Sequence, residues 1–337
     1  MHIPDGYLSP ATAAVGFAAA APFWYQASRK AKEVLRSEAA PMVALFSAFI
    51  FTIQMFNIPL PGGTTAHAVG GTLAAVVLGP WPAVVAVSTA LVIQALFFGD
   101  GGITAIGANS FNMAIALPLV GYGVYRLLAG SQGSDRRRVI AAAVGAYAGI
   151  NAAGMLTALE LGIQPLLWSD GGRALYNPYG LEFTIPAMAI AHLTVAGFAE
   201  AVLTGLALSY LLRTQQHLVA GKAGDGRGLG LLGSGLLGLL AVMAILTPLG
   251  LLAPGSADFE WGATEIEGLL GYVPSGLGSL SPIWSAPLPG YRLPVPGGSL
   301  AAEAGSYVLS AVVGIALIFE AVFAVRIVLA RRTAPVE

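Results

Sequence analysis

Apolar and polar positions along the 337-residue chain resolve into long apolar tracts separated by short polar or Gly/Pro-rich breaks. The tracts fall at about 8–26, 40–60, 67–98, 103–128, 139–159, 183–212, 229–252 and 307–329. Most approach or exceed the ~20 residues a helix needs to cross a bilayer. The tract 67–98 is too long for one helix and is interrupted by Gly79-Pro80-Trp81-Pro82. Proline removes a backbone donor and clashes with the preceding turn, so this tract reads as two spans, the first of them short. Nine transmembrane helices are predicted. A membrane barrel would instead show alternating segments of about ten residues, which the chain lacks. The expected class is all-α, a polytopic helical bundle.

Composition agrees: 56% of residues are hydrophobic and 10% charged, with mean hydropathy +0.76, where soluble domains carry roughly 25% charged residues. There is no cysteine, which removes thiolate metal sites, disulfides and thiol catalysis. Charge placement sets an expected topology. Basic clusters follow the first span (Arg29, Lys30, Lys32, Arg36), the fifth (Arg136, Arg137, Arg138), the seventh (Arg213, Lys222, Arg227) and the last (Arg331, Arg332). Of 16 Lys and Arg, only Arg173 and Arg292 fall in segments assigned outside. By the positive-inside rule the N-terminus lies outside and the C-terminus in the cytoplasm, in a multi-pass protein of the cell membrane surrounded by lipid. No nucleic-acid partner is expected. The basic, Gly-rich stretch 214–228 reads as a cytoplasmic linker. It divides a seven-helix unit, 1–213, from a two-helix appendage, 229–337, whose long external loop holds Asp258, Glu260, Glu265, Glu267 and Glu303. That loop reads as solvated, with attraction of cations as the sharper alternative.

The polar opening Met1-His2-Ile3-Pro4-Asp5-Gly6-Tyr7-Leu8-Ser9-Pro10 lies directly before the first span. A free Met1 amine, the His2 amide and the His2 imidazole Nδ1 close a five- and a six-membered chelate ring. Such a set suits a tetragonal Ni(II) or Cu(II) and leaves one in-plane position. The bland reading is an ordinary histidine on a frayed end. His67 follows the turn Pro61-Gly62-Gly63-Thr64-Thr65-Ala66 on the same predicted side and is placed to be the fourth nitrogen. Asn109 and Asn112, three apart on one helix face, are candidates to bond and orient a ligating imidazole, as are Thr64 and Thr65. The alternative for the asparagines is hydrogen bonding between helices. His192 reads as a neutral histidine bonded to a neighbouring helix, and His217 as solvated in the linker. Glu200 and Glu320 lie in apolar spans and are read as proton carriers or as partners across helices. The chain has no phosphate-binding Gly-x-x-x-x-Gly-Lys-Ser/Thr loop and no His-Glu-x-x-His, so it is not expected to be an ATPase or a zincin-type enzyme.

The opening motif, Pro61-Gly62-Gly63-Thr64-Thr65-Ala66-His67, Gly79-Pro80-Trp81, and Gly99-Asp100-Gly101-Gly102 through Asn109-Ser110-Phe111-Asn112-Met113 together resemble the NikM/CbiM family. These are substrate-capture components of energy-coupling factor (ECF) transporters for nickel and cobalt. The resemblance covers about residues 1–213. It implies a metal ligand set of the Met1 amine, the His2 amide and imidazole, and His67. It also implies a NikQ/CbiQ-like transmembrane coupling subunit and NikO/CbiO-like ATPases, which fits the missing phosphate loop. The appendage resembles a fused NikN-like domain by position and architecture. The transported ligand is then Ni2+ or Co2+, with nickel favoured by the Asn57 to His67 stretch and by four nitrogen donors in a plane, and no resident cofactor is expected. The alternative kept beside it is an ATP-independent secondary transporter of divalent metal, driven by protons through Glu200 or Glu320.

Overall fold

The computed structural model describes residues 1–36, 40–60, 65–130, 133–214, 229–253, 260–293 and 299–331. The linker expected at 214–228 lies, from 215 onward, outside the described residues, with His217. The described chain is a polytopic helical bundle with almost no sheet. Ser9 caps helix α1 (Pro10–Arg36) by accepting from the Thr12 amide at 3.1 Å, ahead of Pro10, which needs no amide partner in the first helical position. Next come α2 (Ala40–Gln54), α3 (Gly71–Leu78), α4 (Pro80–Phe98), α5 (Ile106–Ala129), α6 (Asp135–Gly162) and α7 (Leu181–Thr214). The appendage contributes α8 (Leu229–Leu246), two short helices α9 (Ala263–Leu270) and α10 (Ser275–Leu280), and α11 (Leu300–Arg331).

Among the described residues six helices are long and apolar enough to cross a membrane: α4, α5, α6, α7, the segment Gly235–Leu252 and α11. Three of the nine expected spans differ. The first, α1, has 27 residues but a basic C-terminal half. The second helix ends at Gln54, because the chain turns extended and Ile58–Pro59 pairs antiparallel with Thr65–Ala66. The third, α3, has only eight residues. At 1.5 Å per residue it reaches about 12 Å, less than half of a ~30 Å hydrocarbon core. Residues 55–60 and 65–70 therefore lie against the bundle as non-helical backbone. Such backbone is tolerated there because it is packed in protein: Ala66, Ala68 and Val69 are all buried.

Three helices carry π-helical stretches, at Gln94–Phe98 in α4, Ser110–Ala116 in α5 and His192–Ala196 in α7. A π turn frees carbonyls and redirects side chains, and such turns gather at functional sites. The first sets the contact with the appendage. Trp284 Nε1 donates to the Leu96 carbonyl at 2.9 Å and the Leu288 amide to the Phe97 carbonyl at 2.9 Å. Tyr291 then stacks on Phe98, with ring centroids 4.9 Å apart, while α11 packs along α2. The described part of the connection between α8 and α11 is thus folded onto the bundle. Glu265 and Glu267 are exposed as expected of a solvated loop, but Glu260 is not.

Candidate metal site

The N-terminal segment is buried, not frayed. Met1, His2 and Ile3 are 7%, 4% and 1% exposed, as low as core side chains. Hydrogen bonds at Ile3 and Asp5 hold the segment against the 102–109 region. The Ile3 amide donates to Asn109 Oδ1 at 2.8 Å, and Asn109 Nδ2 donates back to the Ile3 carbonyl at 3.1 Å. The Gly102 amide donates to the same carbonyl at 2.9 Å. Asp5 accepts from the amides of Ile103 and Thr104 at 3.1 and 2.8 Å. Gly102 is required for this approach, since a Cβ there would stand 2.3 Å from the Asp5 amide nitrogen. Tyr7 Oη donates to the Trp261 carbonyl at 2.8 Å, which joins the segment to the appendage.

His2 and His67 meet in this pocket, their ring centroids 5.1 Å apart. Both rings are buried. His2 Nδ1 contacts Asp100 Oδ1, and His2 Nε2 donates to Gln54 Oε1 at 2.9 Å. Burial alone would lower the His2 pKa, but the charge and hydrogen bond of Asp100 outweigh it and the pKa is raised. His67 goes the other way: burial, with the nearby His2 and N-terminal charges, pushes its pKa down to about 3. Burial thus favours its neutral form. Its Nδ1 lies 3.1 Å from the Ala68 carbonyl, the partner of a protonated Nδ1, which assigns the free lone pair to Nε2. Burial would raise the Asp100 pKa, yet His2, Tyr291 and His67 hold it below the usual carboxylate range.

A second ring of groups surrounds these. Tyr291 Oη donates to Asp100 Oδ2 at 2.5 Å, and Gln94 Nε2 donates to Tyr291 Oη at 3.1 Å. The Met1 amine lies 3.5 Å from Glu260 Oε1. Buried Gln54 Nε2 and Gln94 Oε1 have no hydrogen-bond partner in the protein, which is costly unless something else meets them. A cavity of about 180 Å³ adjoins the site, bounded by Pro4, Asp5, Gly101, Glu260, Trp261 and Trp284.

Of the residues singled out in the sequence, Met1, His2 and His67 come together, with Asn109 bonded to the main chain beside His2 rather than to an imidazole. Asn112 does not join them. Its Nδ2 bridges to Thr157 at 3.1 Å and Glu160 at 2.6 Å on α6, the interhelical role. Thr65 is buried in the short ladder, and Thr64 lies outside the described residues. His192 Nδ1 donates to the carbonyl of Met188 in its own helix at 2.8 Å, and its ring packs where Gly154 leaves room on α6. Glu320 is exposed on α11. Gln54, Gln94 and Tyr291 were not anticipated, and in the sequence Glu260 reads only as one of the carboxylates of the acidic loop. The two glutamines had a signal, an uncharged polar group inside an apolar tract, where such residues mark interiors and pathways. Among the described residues no three His, Asp or Glu side chains are grouped to hold a metal ion.

Comparison with known proteins bears on the same region. Residues 2–218 match the CbiM family, described as the cobalt uptake substrate-specific transmembrane region. Over 94% of its length the chain is 48% identical to the fused nickel transport protein NikMN of Rhodobacter capsulatus, covering 95% of that relative. It is 46% identical to the probable fused nickel transport protein LarMN of Lactiplantibacillus plantarum, over 79% of this chain and 80% of the relative. A crystal structure of a truncated transition metal transporter is 56% identical and superposes with a TM-score of 0.60, over 63% of this chain and 99% of that one.

Proposed function

The chain belongs to the CbiM family of cobalt uptake substrate-specific transmembrane proteins, and from that premise we propose that it captures Ni2+, or Co2+, at its own N-terminus. As a nickel/cobalt transport protein it is a carrier of metal and its relatives are transport proteins, not enzymes. The ligands are the Met1 amine, the His2 amide nitrogen and imidazole Nδ1, and His67 Nε2. The observation that carries this reading is the burial of Met1 and His2 beside a neutral His67. A frayed terminus would not lie there. Two imidazoles alone do not make a site for a divalent ion, and the amine and amide supply the remaining nitrogens in chelate rings fixed by covalent bonds. Gln54, accepting from His2 Nε2, is the outer partner that orients the ligating ring.

Binding releases the protons of the amine, the amide and His2, so affinity falls in acid. The metal faces outside, and coupling and ATP hydrolysis belong to NikQ/CbiQ-like and NikO/CbiO-like partners in an ECF assembly. Nickel is favoured over cobalt by the planar four-nitrogen set. The proton-driven alternative loses ground, since the Glu200 carboxylate is bound to backbone amides and Glu320 lies on the outer face of α11.

The test is Ni2+ binding by protein with the native terminus against protein with one residue added before Met1. The extension moves the free amine away and leaves every side chain chemically unchanged. Loss of stoichiometric binding, or weakening by at least about 100-fold, roughly 2.8 kcal/mol, is expected. Equal affinity in the two proteins would exclude the terminal amine as a ligand.

A further inference from the structure

Glu200 is the most deeply buried carboxylate in the described chain, at 0% exposure, and the metal site makes no direct use of it. It sits on α7, just beyond the π-helical stretch His192–Ala196. Its carboxylate meets no cation; instead it accepts from the backbone. Oε2 accepts from the Val69 amide at 2.7 Å and from Gly70 at 3.0 Å, and Oε1 accepts from Gly70 at 2.9 Å. These donors lie immediately before α3, where amides have no partner within the helix. They are also two and three residues from His67. Gly70 has φ +78°, a left-handed conformation that other residues rarely adopt, and a Cβ there would stand 2.8 Å from the Phe49 ring. The Val69 and Gly70 amides therefore have no helical partner, although the Gly70 carbonyl accepts from Ala74 at 3.1 Å, and Gly70 holds a conformation that other residues rarely adopt. A buried carboxyl group accepting bonds from two successive amides at 2.7–3.0 Å is the fixture that holds it.

We infer that Glu200 is a positioning residue for the metal site: through the Val69 and Gly70 amides, α7 fixes where His67 presents its imidazole. This rests on the reading that His67 is a ligand. It gives a helix that makes no contact with the metal a mechanical hold on one ligand of four. A shift or rotation of α7 would move His67 while Met1 and His2, tied to the 100–109 segment, stay in place.

The experiment is a double-mutant cycle on the full chain with its native terminus, read by Ni2+ affinity and by the nitrogen count in the metal's spectrum. His67→Ala is expected to lower the count from four to three; a retained four-nitrogen spectrum would overturn the ligand reading itself. Glu200→Gln keeps shape but turns donors toward donors at one side of the clamp. In the wild-type background it is expected to weaken binding by about 10-fold or more and to reduce the His67 contribution to the spectrum. In the His67→Ala background it is expected to change affinity by less than about 2-fold. Equal loss in both backgrounds would mean a general structural role and would overturn the inference. So would an unchanged affinity and spectrum in the single variant. Should Glu200→Gln fail to fold, Glu200→Asp is measured in the same way. Faster hydrogen exchange confined to the 68–71 amides in metal-free protein is expected of either variant, and protection equal to wild type would refute the clamp.

Discussion

At His2, Asp100 occupies the side of the ring that a six-membered chelate with the amide would use, since its Oδ1 contacts Nδ1. Asp100 thus holds the Nδ1 position that the proposed metal would take, and binding there requires that this contact be given up. The linkage has a definite sign. His2, with a raised pKa, contributes stability that is complete below its unfolded value of about 6.5 and is lost as pH rises through the folded value. Asp100, with a depressed pKa, contributes above about 3.9 and loses its contribution as pH falls through the folded value. Asp100→Asn should therefore destabilise the metal-free protein most between about pH 4 and 6.5, by about 1–3 kcal/mol, with a smaller deficit at higher pH. The same substitution lowers the proton affinity of His2, so the acid limb of Ni2+ affinity should move to lower pH. Thermal melts and competitive titrations across that range decide it; an acid limb that does not move would show that Asp100 does not hold the competing proton. The sequence made His2 legible through its place beside the chain's amine and His67 through its Gly-rich turn. Nothing local marked Tyr291, which reaches Asp100 from 191 residues away.

Among the elements, the N-terminal segment is the one on whose placement the proposed chemistry rests, and it is held both by bonds to the 102–109 region and by burial of Ile3, Tyr7 and Leu8. The 99–102 turn, whose glycines were visible in the sequence, is the surface it lies on. Gly102→Ala touches no proposed ligand, yet its methyl would collide with backbone at Pro4 and Asp5, which cannot rotate away. It should displace residues 1–5, weaken Ni2+ binding by about 10- to 100-fold and cost about 1–3 kcal/mol in stability. Hydrogen exchange of the first ten amides, faster in the variant while α4 and α6 keep their protection, separates local displacement from global unfolding. Binding equal to wild type would mean that the turn gives way. Helix positions followed closely from hydropathy for α4 through α7, where long apolar runs leave one solution. Hydropathy failed for α3, because it counts apolar residues without counting turns. The run 67–78 is apolar enough for a span, but its first residues form loop backbone held by Glu200, a partner more than a hundred positions away.

For the whole molecule, one end carries the proposed metal pocket and the other the basic run Arg136, Arg137 and Arg138, and their separation bears on the direction of the proposed capture. The N-terminal segment, the 169–177 loop and the appendage's external loop meet at one end: the Asn177 amide donates to the Tyr7 carbonyl at 3.0 Å, and the Gly276 amide to Leu175 at 2.7 Å. Helix α6 runs from that region, where Asn177 Nδ2 donates to the Leu161 carbonyl at 3.0 Å, to Asp135 beside Arg136, Arg137 and Arg138. Its 28 residues cover about 42 Å at 1.5 Å per residue, more than a hydrocarbon core. A helix of that length separates the two ends across a hydrocarbon core, and the positive-inside rule then predicts that the end carrying the proposed pocket faces outside. A chain without cysteine is ready for a direct test. Thr264→Cys and Arg136→Cys are both exposed positions, on the loop end and the basic end. An impermeant thiol reagent added to intact cells should label Thr264→Cys and spare Arg136→Cys until the membrane is opened. The reverse pattern would place the metal pocket on the cytoplasmic side and convert capture into export, with the same ligands and the opposite task.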